Sequence, residues 1–282
     1  MTTNQPEPAE SSNKESALEN LLPIGEHEEE GRDEQGRKVR HKGVYLLPNL
    51  FTTANMFAGF YAIVCAIHGS FEIASVAIFV AMVFDGLDGR VARMTQTQSA
   101  FGAEYDSLSD MVAFGVAPAI LAYQWALSEL GNVGLTVAFI YTACAALRLA
   151  RFNTQIDTVD KRWFIGLASP AAAAVVAGMV WSVATFTDKG VVGADLPVAV
   201  VMLFAFLVAA VGLLMVSNIK FYSFKDLDLK GRVPFVAILV VVLAFAVIFS
   251  DPPRVLLLIF MAYAVSGPVQ FVLQMRKNKK GA

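Results

Sequence analysis

Four carboxylates stand in an otherwise apolar stretch. Asp85-Gly-Leu-Asp-Gly-Arg-Val-Ala-Arg93 is followed by Gly102-Ala-Glu-Tyr-Asp-Ser-Leu-Ser-Asp110, so Asp85, Asp88, Asp106 and Asp110 fall on two neighbouring segments. At about 100° per residue, Asp85, Asp88, Gly89, Ala92 and Arg93 occupy an arc of roughly 140° on one helix. Gly102, Asp106 and Asp110 form an i, i+4, i+8 stripe on the next. Two acidic faces can therefore look at one another. Like charges a few ångströms apart in a low-dielectric space repel strongly, so four ionised carboxylates require cations among them. Oxygen ligands alone suit hard divalent ions, Mg²⁺ or Mn²⁺, and His27, His41 and His68 all lie outside the cluster. Four acids exceed what one Mg²⁺ with its waters needs, which points to two metals, the arrangement that clamps entering and leaving oxygens in phosphoryl transfer. Gly89, Ala92 and Gly102 leave room for a bulky group, and Arg93 offers a planar fork to a phosphate. For any one of these residues, helix capping or close helix packing is an equally good account. For the set it is not.

The elements that position this cluster are apolar runs long enough to cross a bilayer. The chain has 282 residues, 56% of them hydrophobic, with a mean hydropathy of +0.56. That apolar content is gathered into eight runs, about 48–68, 71–93, 103–128, 133–152, 164–186, 196–216, 233–250 and 254–274. They do not alternate, and they are too long for barrel strands. The expected class is all-α: a polytopic membrane protein of about eight transmembrane helices, with a six-helix catalytic core and two additional C-terminal helices. Cys65 and Cys144 fall inside spans and read as small buried hydrophobes.

Charge sets the orientation. Arg37, Lys38, Arg40 and Lys42, Arg90 and Arg93, Arg148, Arg151, Lys161 and Arg162, Lys220 to Arg232, and Arg276 to Lys280 all fall on one side; Lys189 and Arg254 are alone on the other. Both termini and the acidic cluster are expected in the cytoplasm, in the cell (inner) membrane. The acidic, aromatic-poor residues 1–35 are expected to be a disordered tail and no signal peptide. Residues 36–47 form a basic segment suited to a membrane surface or an ordinary basic flank. After them come a helical core over 48–216, a cytoplasmic loop over 217–232 and the C-terminal pair over 233–282.

The two acidic segments together spell Asp-x2-Asp-Gly-x2-Ala-Arg-x8-Gly-x3-Asp-x3-Asp, matched at Asp85, Asp88, Gly89, Ala92, Arg93, Gly102, Asp106 and Asp110. A chance match to eight fixed positions is on the order of 10⁻¹⁰ per starting point. The pattern resembles the CDP-alcohol phosphatidyltransferase family. That resemblance implies that the four aspartates hold two divalent cations on the diphosphate of a CDP-linked lipid. It also implies that Gly89, Ala92 and Arg93 seat the CDP moiety, that Asp110 takes the proton from the acceptor hydroxyl, and that the protein is a homodimer.

The motif leaves the acceptor open among serine, glycerol phosphate, choline and inositol compounds. Leu47-Pro-Asn-Leu-Phe-Thr-Thr-Ala-Asn-Met56, Leu147-Arg-Leu-Ala-Arg-Phe-Asn153, Gly166-Leu-Ala-Ser-Pro-Ala-Ala-Ala173 and Met215-Val-Ser-Asn-Ile-Lys-Phe-Tyr-Ser-Phe-Lys225 resemble the serine-using, membrane-integral branch. Ala168 stands where relatives often carry Pro. The resemblance implies CDP-diacylglycerol and L-serine as substrates in the lipid bilayer, with glycerol phosphate or an inositol compound as the alternative acceptor. Arg148 and Arg151 suit the acceptor carboxylate and Asn153 a hydrogen bond to it, with Lys220 a further cation. The alternative is that they are membrane-flank anchors, a reading that fits Arg148 better than Arg151. Asn49, Thr52 and Asn55, with Gly102, are expected to contact the CDP donor; the alternatives are that Asn49 caps the first helix and that Thr52 and Asn55 bond neighbouring helices. No nucleic-acid partner is expected. An ion or lipid transporter would carry its acids in paired repeats near the midplane, and the sequence shows no internal repeat.

Overall fold

A computed structural model describes residues 31–32, 38–39, 46–95, 99–155, 163–185, 196–222 and 235–281. Residues up to Tyr45 and residues from Leu46 are separate units. In the first, β1 (Gly31–Arg32) pairs antiparallel with β2 (Lys38–Val39), Gly31 opposite Val39. The rest of the expected acidic tail lies outside the described residues, as do positions 36–37 and 40–45 of the basic segment.

The second unit is helical: α1 (Leu46–Ile67), α2 (Phe71–Met94), α3 (Ala100–Asp110), a π-helical segment (Met111–Val116), α4 (Ala117–Trp125), a 3₁₀ turn (Leu127–Leu130) and α5 (Asn132–Gln155) come first. Then follow β3 (Trp163–Ile165), α6 (Ser169–Ala184), α7 (Val198–Val216), β4 (Lys220–Tyr222), α8 (Phe235–Ser250) and α9 (Pro252–Gly281). Four of these helices are long and apolar enough to cross a membrane: Leu47–Ile67, Asn132–Thr154, Val198–Val216 and Pro252–Arg276. Large apolar side chains such as Phe57, Phe139, Phe206 and Phe249 stand exposed around the unit, the surface expected of a protein whose solvent is lipid. The protein is all-α and membrane-integral.

Helices in lipid gain little from burying apolar surface and associate by close packing, so small residues mark the contacts. α6 is the innermost helix, buried at Ser169, Ala171 to Gly178 and Val180, and it packs against α2 and α9. α1 lies along α2 and also meets α3, the π-helical segment and α4. At Gly59 an added Cβ would stand 2.6 Å from the Ala113 Cα, so Gly59 lets α1 reach the π-helical segment. Gly59→Ala is therefore expected to cost about 1–3 kcal/mol, measured as a lower unfolding temperature in detergent. Gly89→Ala, where an added Cβ meets nothing within 4 Å, is expected to leave that temperature unchanged.

Several boundaries differ from the sequence expectation. The third expected span, 103–128, is divided among α3, the π-helical segment and α4. Pro118 in the first turn of α4 has no N–H to return to the Phe114 carbonyl, and that carbonyl instead accepts the buried Tyr141 hydroxyl at 3.1 Å. The fifth expected span, 164–186, begins at Ser169, with Pro170 in its first turn. Before it, β3 pairs antiparallel with β4, Phe164 opposite Phe221. Gly166 takes a φ of +82° there, and a Cβ would strike the Met215 carbonyl, so only glycine serves at this turn. α1 begins at Leu46, which places Asn49 inside the helix and not at its cap.

Candidate functional site

The acidic cluster is assembled by the first three helices of the second unit. Asp85 and Asp88 lie near the C-terminal end of α2, and Asp106 and Asp110 on α3. The stripe Gly102, Asp106, Asp110 falls wholly within the regular turns of α3, so the π-helical segment that follows leaves its spacing intact. Ser99 caps α3, its hydroxyl accepting the Gly102 N–H at 2.9 Å.

α1 holds both acidic faces. The Thr52 hydroxyl donates to Asp88 Oδ2 at 3.0 Å, with the Pro48 carbonyl also in reach at 3.2 Å. The Thr52 carbonyl accepts the Ser109 hydroxyl at 2.9 Å. One turn along, Asn55 Nδ2 donates to Asp110 Oδ1 at 3.2 Å. Thr53 pairs with the Tyr105 hydroxyl at 2.9 Å. Thr52, Asn55, Asp88 and Ser109 are all buried, so the Thr52–Asp88 and Ser109–Thr52 bonds form away from water and fix the side chains they join, while the Thr53–Tyr105 pair is exposed.

Asp85, Asp88 and Asp106 converge: one oxygen from each lies within 4.8 Å of the other two. Among the described residues no cation pairs with any of them, and Asp106 Oδ1 is buried without a hydrogen-bond partner. Three converging carboxylates, one of them with an orphaned buried oxygen, fit a divalent cation. Asp110 stands outside this trio, its Oδ1 taken by Asn55.

The remaining candidates divide around the cluster. Gly89 faces open space, which argues against a role in helix packing and for a surface that a ligand approaches. Ala92 is half-buried and Arg93 exposed at the end of the same helix. A Cβ at Gly102 would lie 3.8 Å from Asn49 Oδ1, so Asn49 and Gly102 border one another. Arg148 on α5 donates from Nη1 to the Ser169 hydroxyl at 2.6 Å, while its Nε is buried and unpartnered. It stands within electrostatic reach of Asp85, Asp110 and Tyr263 of α9. Arg151 turns elsewhere, donating to Asn218 Oδ1 at 2.7 Å and to the Val216 carbonyl at 3.3 Å, which ties α5 to the end of α7. Asn153 exchanges hydrogen bonds with Ser107 at 3.1 and 3.2 Å, and so braces α3. Lys220 is exposed, its backbone in β4 opposite Ile165.

Sequence reading missed Ser109, Ser169, Tyr141 and Tyr263. Ser109 and Ser169 stand inside segments singled out above. Tyr263 carries no such signal: it sits in an apolar helix, with the Phe221 ring centroid 5.6 Å away.

Residues 45–216 match the sequence profile of the CDP-alcohol phosphatidyltransferase family. Relatives extend the likeness beyond that range. The chain is 35% identical over 240 residues to a CDP-diacylglycerol-serine O-phosphatidyltransferase of Helicobacter pylori, covering 83% of this chain and 94% of that protein. It is 33% identical over 229 residues to the protein of that name from Methanocaldococcus jannaschii, covering 81% and 96%. A third, from Bacillus subtilis, is 35% identical over 179 residues, covering 64% and 91%. Because the matched range contains every helix that builds the acidic cluster, and the motif runs through it unbroken, the chain belongs to the CDP-alcohol phosphatidyltransferase family.

Proposed function

We propose that this protein transfers the phosphatidyl group of CDP-diacylglycerol to the hydroxyl of L-serine, giving phosphatidylserine and CMP. The observation that carries the reading is the alignment, over more than four fifths of the chain, with relatives named for that reaction. The convergence of Asp85, Asp88 and Asp106 supports the same chemistry.

Those three carboxylates, together with Asp110, would hold two divalent cations, Mg²⁺ or Mn²⁺. When bound, such ions neutralise a diphosphate and stabilise charge developing on the oxygens of an in-line displacement. Gly89, Ala92, Arg93, Gly102 and Asn49 border the CDP moiety, and Thr52 acts on the donor indirectly by orienting Asp88. Asp110 accepts the proton of the serine hydroxyl as that oxygen bonds to the phosphatidyl phosphorus. The bond from phosphorus to CMP breaks, and CMP leaves with the electron pair. Arg148 pairs with the serine carboxylate; Ser169 aims its guanidinium. Arg151, Asn153 and Lys220 support that side, Arg151 and Asn153 by holding α5 to α7 and α3. The chain crosses the inner membrane eight times as a homodimer, with both termini and the cluster cytoplasmic; the Lys and Arg asymmetry supports the orientation.

Purified protein given CDP-diacylglycerol and Mn²⁺ or Mg²⁺ is expected to release CMP when serine is added and not after chelation. Release with glycerol 3-phosphate or an inositol compound, and none with serine, would replace the acceptor while keeping the chemistry. Gly89→Ala, harmless to the fold, is expected to raise the KM for CDP-diacylglycerol.

A further inference from the structure

Five buried side-chain polar atoms among the described residues have no hydrogen-bond partner: Asn55 Oδ1, Asp106 Oδ1, Arg148 Nε, Trp181 Nε1 and Ser182 Oγ. Three of them belong to the neighbours of one residue. Asn55 donates to Asp110, Asp106 lies one helical turn before it, and Arg148 acts on it electrostatically. A divalent cation at the carboxylate trio would account for Asp106 Oδ1. Arg148 Nε is a spare donor suited to a carboxylate. Asn55 Oδ1 is a spare acceptor, fully buried, and an unpaired buried acceptor is costly enough that a donor belongs there. Its identity as oxygen follows from its own bond: Nδ2 faces the Asp110 carboxylate, and the flipped amide would set two oxygens against each other.

We infer that Asn55 Oδ1 is the subsite for the ammonium group of the acceptor, making Asn55 the residue that selects an amino alcohol. The assignment rests on the proposed transfer to serine. One amide group separates Asn55 Oδ1 from the Asp110 oxygen it faces, a spacing of roughly 4–5 Å. A 2-amino alcohol carries its hydroxyl and ammonium about 3–4 Å apart in staggered conformers. It therefore reaches Asp110 with the hydroxyl and Asn55 with the ammonium at once, while its carboxylate turns to Arg148. The ammonium brings three donors to an acceptor that lacks one. Glycerol phosphate and inositol compounds bring only a neutral vicinal hydroxyl to that oxygen, a weaker donor than an ammonium, and an acceptor with no donor there leaves Asn55 Oδ1 unpaired, the situation in which a polar site discriminates most strongly.

The test compares serine with 3-hydroxypropionate, the same molecule without its amine. Wild-type protein is expected to favour serine at least 100-fold in kcat/KM. In Asn55→Ala that preference is expected to fall at least tenfold, because the loss with serine exceeds the loss with the amine-free acceptor. An equal loss with both acceptors would assign Asn55 to holding Asp110 alone and would overturn the inference. If Asn55→Ala turns over neither acceptor, equilibrium binding of radiolabelled serine to the purified full chain decides: affinity reduced at least tenfold supports the subsite, and retained affinity overturns it. Serine turnover with an unchanged preference in Asn55→Ala sinks this inference and spares the function. CMP release with glycerol 3-phosphate and none with serine sinks both.

Discussion

Asp110→Asn is expected to reduce kcat by about 10²–10⁴, the usual contribution of a positioned general base. The substitution is nearly isosteric, and the new amide can still meet Asn55, so the helices should keep their places. Asp110 lies outside the trio of Asp85, Asp88 and Asp106, and affinity for CDP-diacylglycerol is accordingly expected to change by only a few-fold. CMP release and equilibrium donor binding, measured on the same preparation, separate the two effects. Turnover at the wild-type rate would exclude Asp110 as the proton acceptor.

Asp106→Asn is expected to have opposite effects on activity and on stability. Asp106 contributes one of three converging carboxylates and has a buried oxygen with no hydrogen-bond partner. Losing it removes a ligand to a hard cation, and several kcal/mol of charge stabilisation, on the order of 10³-fold in turnover or more, should go with it. In the metal-free protein the same change removes one of three like charges held close together, so the unfolding temperature under chelation should rise. Added Mn²⁺ should raise the wild-type unfolding temperature by mass action and move the variant little. A variant that is less stable than wild type under chelation and still responds to Mn²⁺ would show that Asp106 is structural and not a ligand.

Much of this arrangement is legible from residue order, and the reason is local. Apolar runs mark the helices, and the acids fall at helical spacing on two consecutive elements, so the faces of α2 and α3 can be drawn without coordinates. What cannot be read is which partner a polar side chain chooses across the bundle. Thr52 and Asn55 could face the donor or a neighbouring helix by spacing alone. They turn to Asp88 and Asp110, 36 and 55 residues away. Arg148 and Arg151 sit three positions apart and look equivalent. One finds Ser169 and the other Asn218, because three positions on a helix still differ by about 60° in direction and about 4.5 Å in height, enough to meet different neighbours. The carbonyl that Pro118 leaves without an N–H partner is met by the Tyr141 hydroxyl from another helix, a pairing that residue order does not show.

The hold of α1 on both acidic faces also bears on the order of assembly. Among the described residues the hydrogen bonds to Asp88 and Asp110 both come from α1, and all four aspartates lie within residues 46–110, so the donor half of the site comes from three helices made in succession. The acceptor side waits for Ser169, about 60 residues later. At synthesis rates of about 5–20 residues per second, that is an interval of roughly 3–12 s. During it a nascent chain can hold a complete acid cluster, open to cations, with Arg148 not yet anchored. Ion loading can precede closure of the amino-acid side, which α9 joins later still with Tyr263 near Arg148.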